Sequence, residues 1–77
     1  MCWYFVKLNE TTNTVVYSYS YNSNVTTGQF EYDKVSEKVV NIKYAINHSP
    51  NSLSFLSAVY KLIKDYGTLD KKLIAFG

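Results

Sequence analysis

The sequence predicts an α+β fold: a four-stranded antiparallel β-meander, one C-terminal α-helix packed on one face, and a short fifth strand at the C-terminus. Three observations carry this. Thr14 to Tyr21 alternates strictly, with Val15, Tyr17, Tyr19 and Tyr21 on one side and Val16, Ser18 and Ser20 on the other, which is the period of a strand. Ser49 to Gly67 carries apolar residues at three- and four-residue spacing, which is the period of a helix. The segments before the helix are joined by short polar stretches, which favour neighbouring antiparallel strands over crossovers.

In chain order, Cys2 to Leu8 (CWYFVKL) is aromatic and rich in strand-favouring residues, and reads as the first strand. Asn9 to Asn13 is a polar turn, and Thr14 to Tyr21 is the second strand. Asn22 to Gly28 is a loop of turn-forming residues, with Gly28 as its turn glycine. Gln29 to Asp33 alternates again and is the third strand, with Asp33 opening a tight connection. Lys38 to Ile46 is the fourth strand, placing Val40, Ile42, Tyr44 and Ile46 on one face.

The helix has signals at both ends. Ser49 suits the N-cap, Pro50 the first helical position and Gly67 the left-handed C-terminal cap. Lys61 and Lys64 lie near the C-terminal end, where positive charge complements the helix dipole. Leu53, Leu56, Val59, Tyr60, Ile63 and Tyr66 form the apolar stripe, widened by Phe55 and Leu62. A helix this short is marginal alone in water, so the stripe must pack on the sheet. The tail, Thr68 to Gly77, ends in LIAF and supplies the short last strand.

Parity gives the sheet a packed face and a wet face. The packed face takes Tyr4, Val6 and Leu8, the tyrosine row, Phe30, Tyr32 and the Val40/Ile42/Tyr44/Ile46 row. The wet face takes Lys7, Ser18, Ser20, Glu31, Asn41 and Lys43. Trp3 and Phe5 share parity with Lys7 and so fall on the wet face, against their chemistry. A slip or bulge in the first strand resolves the conflict, because a one-residue shift exchanges the faces. The tail folding over them also resolves it. The functional reading is an apolar patch used for association, with Trp3, Phe5, Lys7 and Lys43 as the candidate interaction surface.

Seventy-seven residues make one small domain, 1–77, with a single modest core. The 47% apolar content excludes wholesale disorder. Net charge is only +2, and all eight basic residues are lysines spread along the chain. Neither the field nor the bidentate arginines of a dedicated nucleic-acid binder are present. The start has no basic segment of a secretory signal, and no apolar run reaches membrane-spanning length. With one cysteine, the natural reading is a reduced, cytoplasmic domain. The richness in Asn, Lys, Tyr, Ile and Ser suits an AT-rich bacterial or phage genome.

Chemistry-bearing motifs are scarce. The Met-Cys start is similar to that of N-terminal-nucleophile amidotransferases, where a thiol works beside a free α-amine. Here the likeness covers two residues, the chain is too short for that fold, and no activating histidine is evident. His48, the one histidine, reads as a solvent-facing loop residue. No set of His, Cys and carboxylates has metal-ligand spacing, and no glycine-rich phosphate loop exists. The expectation is a small non-enzymatic interaction or accessory domain without cofactor, self-associating or binding a protein partner. No membrane or small-molecule ligand is expected. The alternative is weak binding of single-stranded nucleic acid on the Trp3, Phe5, Lys7 and Lys43 face, where aromatics could stack bases.

Overall fold

The structure is a computed structural model that describes residues 2–48 and 54–75. The elements in chain order are β1 (Cys2–Glu10), β2 (Thr14–Tyr21), β3 (Gly28–Asp33), β4 (Lys38–Lys43), α1 (Phe55–Tyr66) and β5 (Lys71–Ala75). All strand pairs are antiparallel, in the order β4-β3-β2-β1-β5. The meander, the C-terminal helix and the short fifth strand are therefore as the sequence predicts. The fifth strand joins the sheet beside β1, at the edge opposite β4. The helix can supply that crossing: twelve residues rise about 18 Å, and four inter-strand spacings in a five-stranded sheet add to about 19 Å.

The core lies between α1 and one face of the sheet. Trp3, Phe5, Val15, Tyr17, Tyr19, Phe30 and Tyr32 from the strands pack with Phe55, Ala58, Val59 and Leu62 from the helix, and with Ile74 from β5. Phe55 is the helix's wedge, its ring centroid 4.6 Å from Tyr19 and 5.2 Å from Trp3. Burying such rings supplies most of the apolar area of so small a core.

Three sequence expectations change. The first is the face of β1. Trp3 pairs across from Tyr21, Phe5 from Tyr19 and Lys7 from Tyr17, so all three share the tyrosine face. Trp3 and Phe5 are fully buried, whereas Tyr4 and Val6 are half-buried on the other side and Leu8 is exposed. Lys7 does not define a wet face. It sits at the end of the core row, where its long stem reaches the rim and its ammonium finds carboxylates. A bulge between Lys7 and Asn9 then shifts the register of the rest of the strand.

The second is β4, which ends at Lys43 and not at Ile46. A register shift between Gln29 and Glu31 sets one residue of β3 against two of β4, and Asn41 has a left-handed φ of 51°. The bulge puts Val39 and Ile42 against the core. Val40 falls opposite Glu31 on the outer face, and Tyr44 and Ile46 are exposed beyond the strand. Asparagine tolerates this backbone better than most residues do.

The third is the helix, whose buried set is Phe55, Ala58, Val59 and Leu62. Tyr60 and Ile63 flank it, while Leu56 is exposed, so the packed stripe is turned by one residue from the predicted one. Gly67 caps the helix in the left-handed conformation as expected, at φ 64°. The predicted N-terminal residues Ser49 and Pro50, and Leu53, lie outside the described residues. Ser54 precedes the helix; its carbonyl accepts from the Ala58 N–H at 2.8 Å and its hydroxyl accepts from Trp3 Nε1 at 2.8 Å. That bond satisfies the indole N–H within the core.

Gly28 is required for a different reason than a turn. It opens β3 opposite Tyr19, and a Cβ there would stand 2.4 Å from the Tyr19 ring and 2.6 Å from the Ala45 nitrogen. A side chain is excluded so that the ring and the segment after β4 can close over the strand.

Candidate interaction surface

The sequence-derived candidates are not brought together. Trp3 and Phe5 are beneath the helix and reach no partner. Lys7 lies at the far end of the core row, and Lys43 is exposed on the outer face opposite Gln29, at the β4 edge. The aromatic platform that base stacking would need on that face is therefore absent from these four positions.

Another surface is present on the outer face of β1 and β5. Tyr4 pairs with Leu73 of β5 and with Ser20 of β2; Val6 pairs with Lys71 and Ser18; Val16 lies further along β2. Tyr4, Val6 and Val16 are half-buried, and Leu73 is 54% exposed. Over β2 the face is roofed by its own loop. Ser18 Oγ donates to Thr26 Oγ1 at 2.9 Å, Ser20 Oγ donates to the Ser23 carbonyl, and Ser20 is fully buried. The open apolar part thus adjoins β5.

The two sheet edges differ. β4 has a lysine at each end, Lys38 and Lys43, with the Asn41 bulge between them. Charge and bulges both obstruct strand addition. β5 carries its lysines only at Lys71 and Lys72, leaving Leu73, Ile74 and Ala75 in an unbroken ladder with β1. The Lys72 ammonium lies 4.1 Å from the Tyr66 ring centroid, which draws it back over the helix end.

Two polar clusters fasten the fold on either side of this surface. Glu10 accepts from Lys34 at 2.6 Å, Lys7 at 2.7 Å and Thr68 at 3.1 Å. Lys7 also pairs with Asp70 at 3.3 Å. These donors, Lys34 foremost and then Lys7, hold the Glu10 carboxyl down at about 2. The cluster ties the end of β1 to the β3–β4 turn and to the segment leading into β5. In that turn, Asp33 Oδ1 accepts from the Val35 and Ser36 N–H groups at 2.9 and 3.1 Å, as its position predicts.

The second cluster is around His48, which is not a solvent-facing loop residue. It is half-buried among Trp3, Tyr19, Tyr44 and Phe55, with ring centroids 4.9 to 5.7 Å away. The Tyr19 oxygen accepts from the Ala45 N–H at 3.0 Å and lies 2.7 Å from His48 Nδ1. The Tyr19–Nδ1 bond ties the ring to the core whichever of the two atoms carries the proton. Burial pushes the His48 pKa down and that of Tyr19 up. Sequence periodicity carries no signal for this cluster, because its members come from four separate segments.

Cys2 is half-buried; its thiol and its backbone N–H both face Asn22 Oδ1, at 3.5 and 2.8 Å. Among the described residues, no three His, Cys, Asp or Glu side chains are grouped so as to hold a metal ion. No helix among them is long and apolar enough to cross a membrane. Comparisons of the chain with protein-family models, curated proteins and solved structures find no match.

Proposed function

We propose that the chain is a small non-enzymatic interaction domain that engages protein through the outer face of β1 and β5. The observation that carries this is the Tyr4, Val6, Val16 and Leu73 patch: apolar, partly open, and continuous with an edge that lacks the guards of β4. An extended protein segment suits it, because an edge ladder supplies backbone hydrogen bonds and the adjoining face supplies side-chain contacts. Protein is favoured over single-stranded nucleic acid because Trp3 and Phe5 are enclosed and the lysines are dispersed.

The test is selection of binding peptides from a random library, followed by amide-shift mapping on the folded chain. Shifts centred on Tyr4, Val6, Val16 and Leu73, lost in Val16→Lys, are expected. Peptides that bind and shift only the helix surface or the β4 edge would overturn the reading.

A further inference from the structure

We infer that two copies of this chain pair edge to edge through β5, antiparallel, about a two-fold axis at Leu73, joining their five-stranded sheets into one. The inference rests on the reading of the β5 side as the interaction surface and names its occupant.

The register follows from charge and face. A two-fold perpendicular to the sheet keeps both helices on the same side and pairs only residues that share a face. The axis must then pass through a residue of the strand. Centred on Lys72, it would set lysine against lysine, and like charges directly opposite each other are destabilising. Centred on Ile74, it would place at the axis a side chain already 3% exposed in its own core, and set the exposed Leu73 against the small Ala75. Centred on Leu73, all five residues find partners: Lys71 opposite Ala75, Lys72 opposite Ile74, and Leu73 opposite itself. No lysine meets a lysine in that register.

The same register has the right chemistry on each face. On the outer face, the exposed Leu73 side chains meet at the axis and link the Tyr4 and Val6 patches of the two copies. On the inner face, Lys72 is already turned toward Tyr66 and leaves the edge free of its charge. An edge so paired no longer offers the unpaired N–H and C=O row that makes it a hazard. β4 cannot serve in its place, because the Asn41 bulge interrupts its ladder.

The experiment is a charge exchange at the axis, read by sedimentation over a range of concentrations, with near-ultraviolet circular dichroism confirming each fold. The wild type is expected to approach twice the 8.9 kDa chain mass as concentration rises. Leu73→Lys and Leu73→Asp alone are each expected to stay monomeric, and an equimolar mixture of the two to recover the dimer. Leu73 is more than half exposed, so both variants keep the core. A wild type that remains monomeric at millimolar concentration overturns the inference. So do folded single variants that still dimerise, or a mixture that does not recover. A monomeric wild type whose outer face still takes selected peptides would sink the self-pairing alone; loss of both would sink the interaction reading as well.

Discussion

The two faces of the sheet use neighbouring residues of the same strands in opposite ways. Along β1, Trp3 and Phe5 lie under the helix with no exposed surface, while Tyr4 and Val6 are half-open on the other side. The inner face is closed by rings, and most of its polar tips are tied inside: Trp3 to Ser54, Tyr19 to His48, Tyr17 to the Leu69 carbonyl at 2.6 Å. Among the described residues, the outer face is roofed over β2 by the loop carrying Ser23 and Thr26. The difference separates what holds this chain together from what it can offer a partner. Stability should concentrate on one parity of β1, and association on the other.

The largest expected effect breaks the inner face. Trp3→Ala removes the largest fully buried side chain and should cost about 3–5 kcal/mol in urea unfolding. Tyr4→Ala, one residue away, should cost about 1 kcal/mol or less, as expected for a half-open site away from the core. Equal losses at the two positions would contradict the assignment of faces.

Gly28→Ala comes next. The added methyl meets the Tyr19 ring and the Ala45 backbone, so about 1–3 kcal/mol should be lost. The same change should also loosen the His48 cluster, because the Tyr19 hydroxyl holds both Ala45 and His48. Protection of the Ala45 amide from hydrogen exchange is the measurement that reports it.

Acid should act mainly through two groups, since Glu37, also lowered by its bond to Lys64, is exposed and screened by solvent. His48 has a lowered pKa in the folded chain, so the unfolded chain binds its proton more readily. Stability is then full above about pH 6.5 and declines as pH falls below that value. Glu10 is also lowered, to about 2. Its contribution is present above the ordinary carboxyl value and is lost as pH falls from there toward about 2. Glu10→Gln should remove the lower window and cost about 1 kcal/mol at neutral pH, the scale of a partly exposed ion-pair cluster. Urea midpoints across pH for wild type, Glu10→Gln and His48→Asn separate the two windows.

The smallest effect compares two tyrosines. Tyr17→Phe loses a short bond to the Leu69 carbonyl and should cost about 1 kcal/mol. The Tyr32 hydroxyl is buried with no hydrogen-bond partner within 3.5 Å among the described residues. Tyr32→Phe should therefore be neutral or slightly stabilising, since an unsatisfied buried hydroxyl is removed.

Much of the fold was legible because it rests on local periodicity. The alternation of Thr14 to Tyr21, the Asp33 turn and the Gly67 cap each depend on near neighbours, and each is where the sequence places it. The misread features depend on long-range pairing. Lys7 looks like a marker of the wet face, but it ends the core row of β1: the bulge after it brings Glu10 within reach, and Asp70 arrives only because the segment leading into β5 lies beside β1. Apolar alternation from Val40 to Ile46 is real in the sequence. The Asn41 bulge changes its meaning by turning Val39 inward and Val40 outward. The aromatic character of Trp3 and Phe5 was the better guide than parity with one lysine. The outer patch is hidden in the sequence for the same reason, since a parity opposite to that of Lys7 places Tyr4 and Val6 in the core.

The face assignment of β1 underlies the core, the surface and the dimer alike, and the chain's single tryptophan reports on it directly. Acrylamide and iodide quenching of Trp3 in the native protein is the decisive measurement. The structure requires a blue-shifted emission that resists both quenchers until urea unfolds the chain. A red-shifted native emission, quenched as readily as in the unfolded chain, would place Trp3 on the open face and contradict the account.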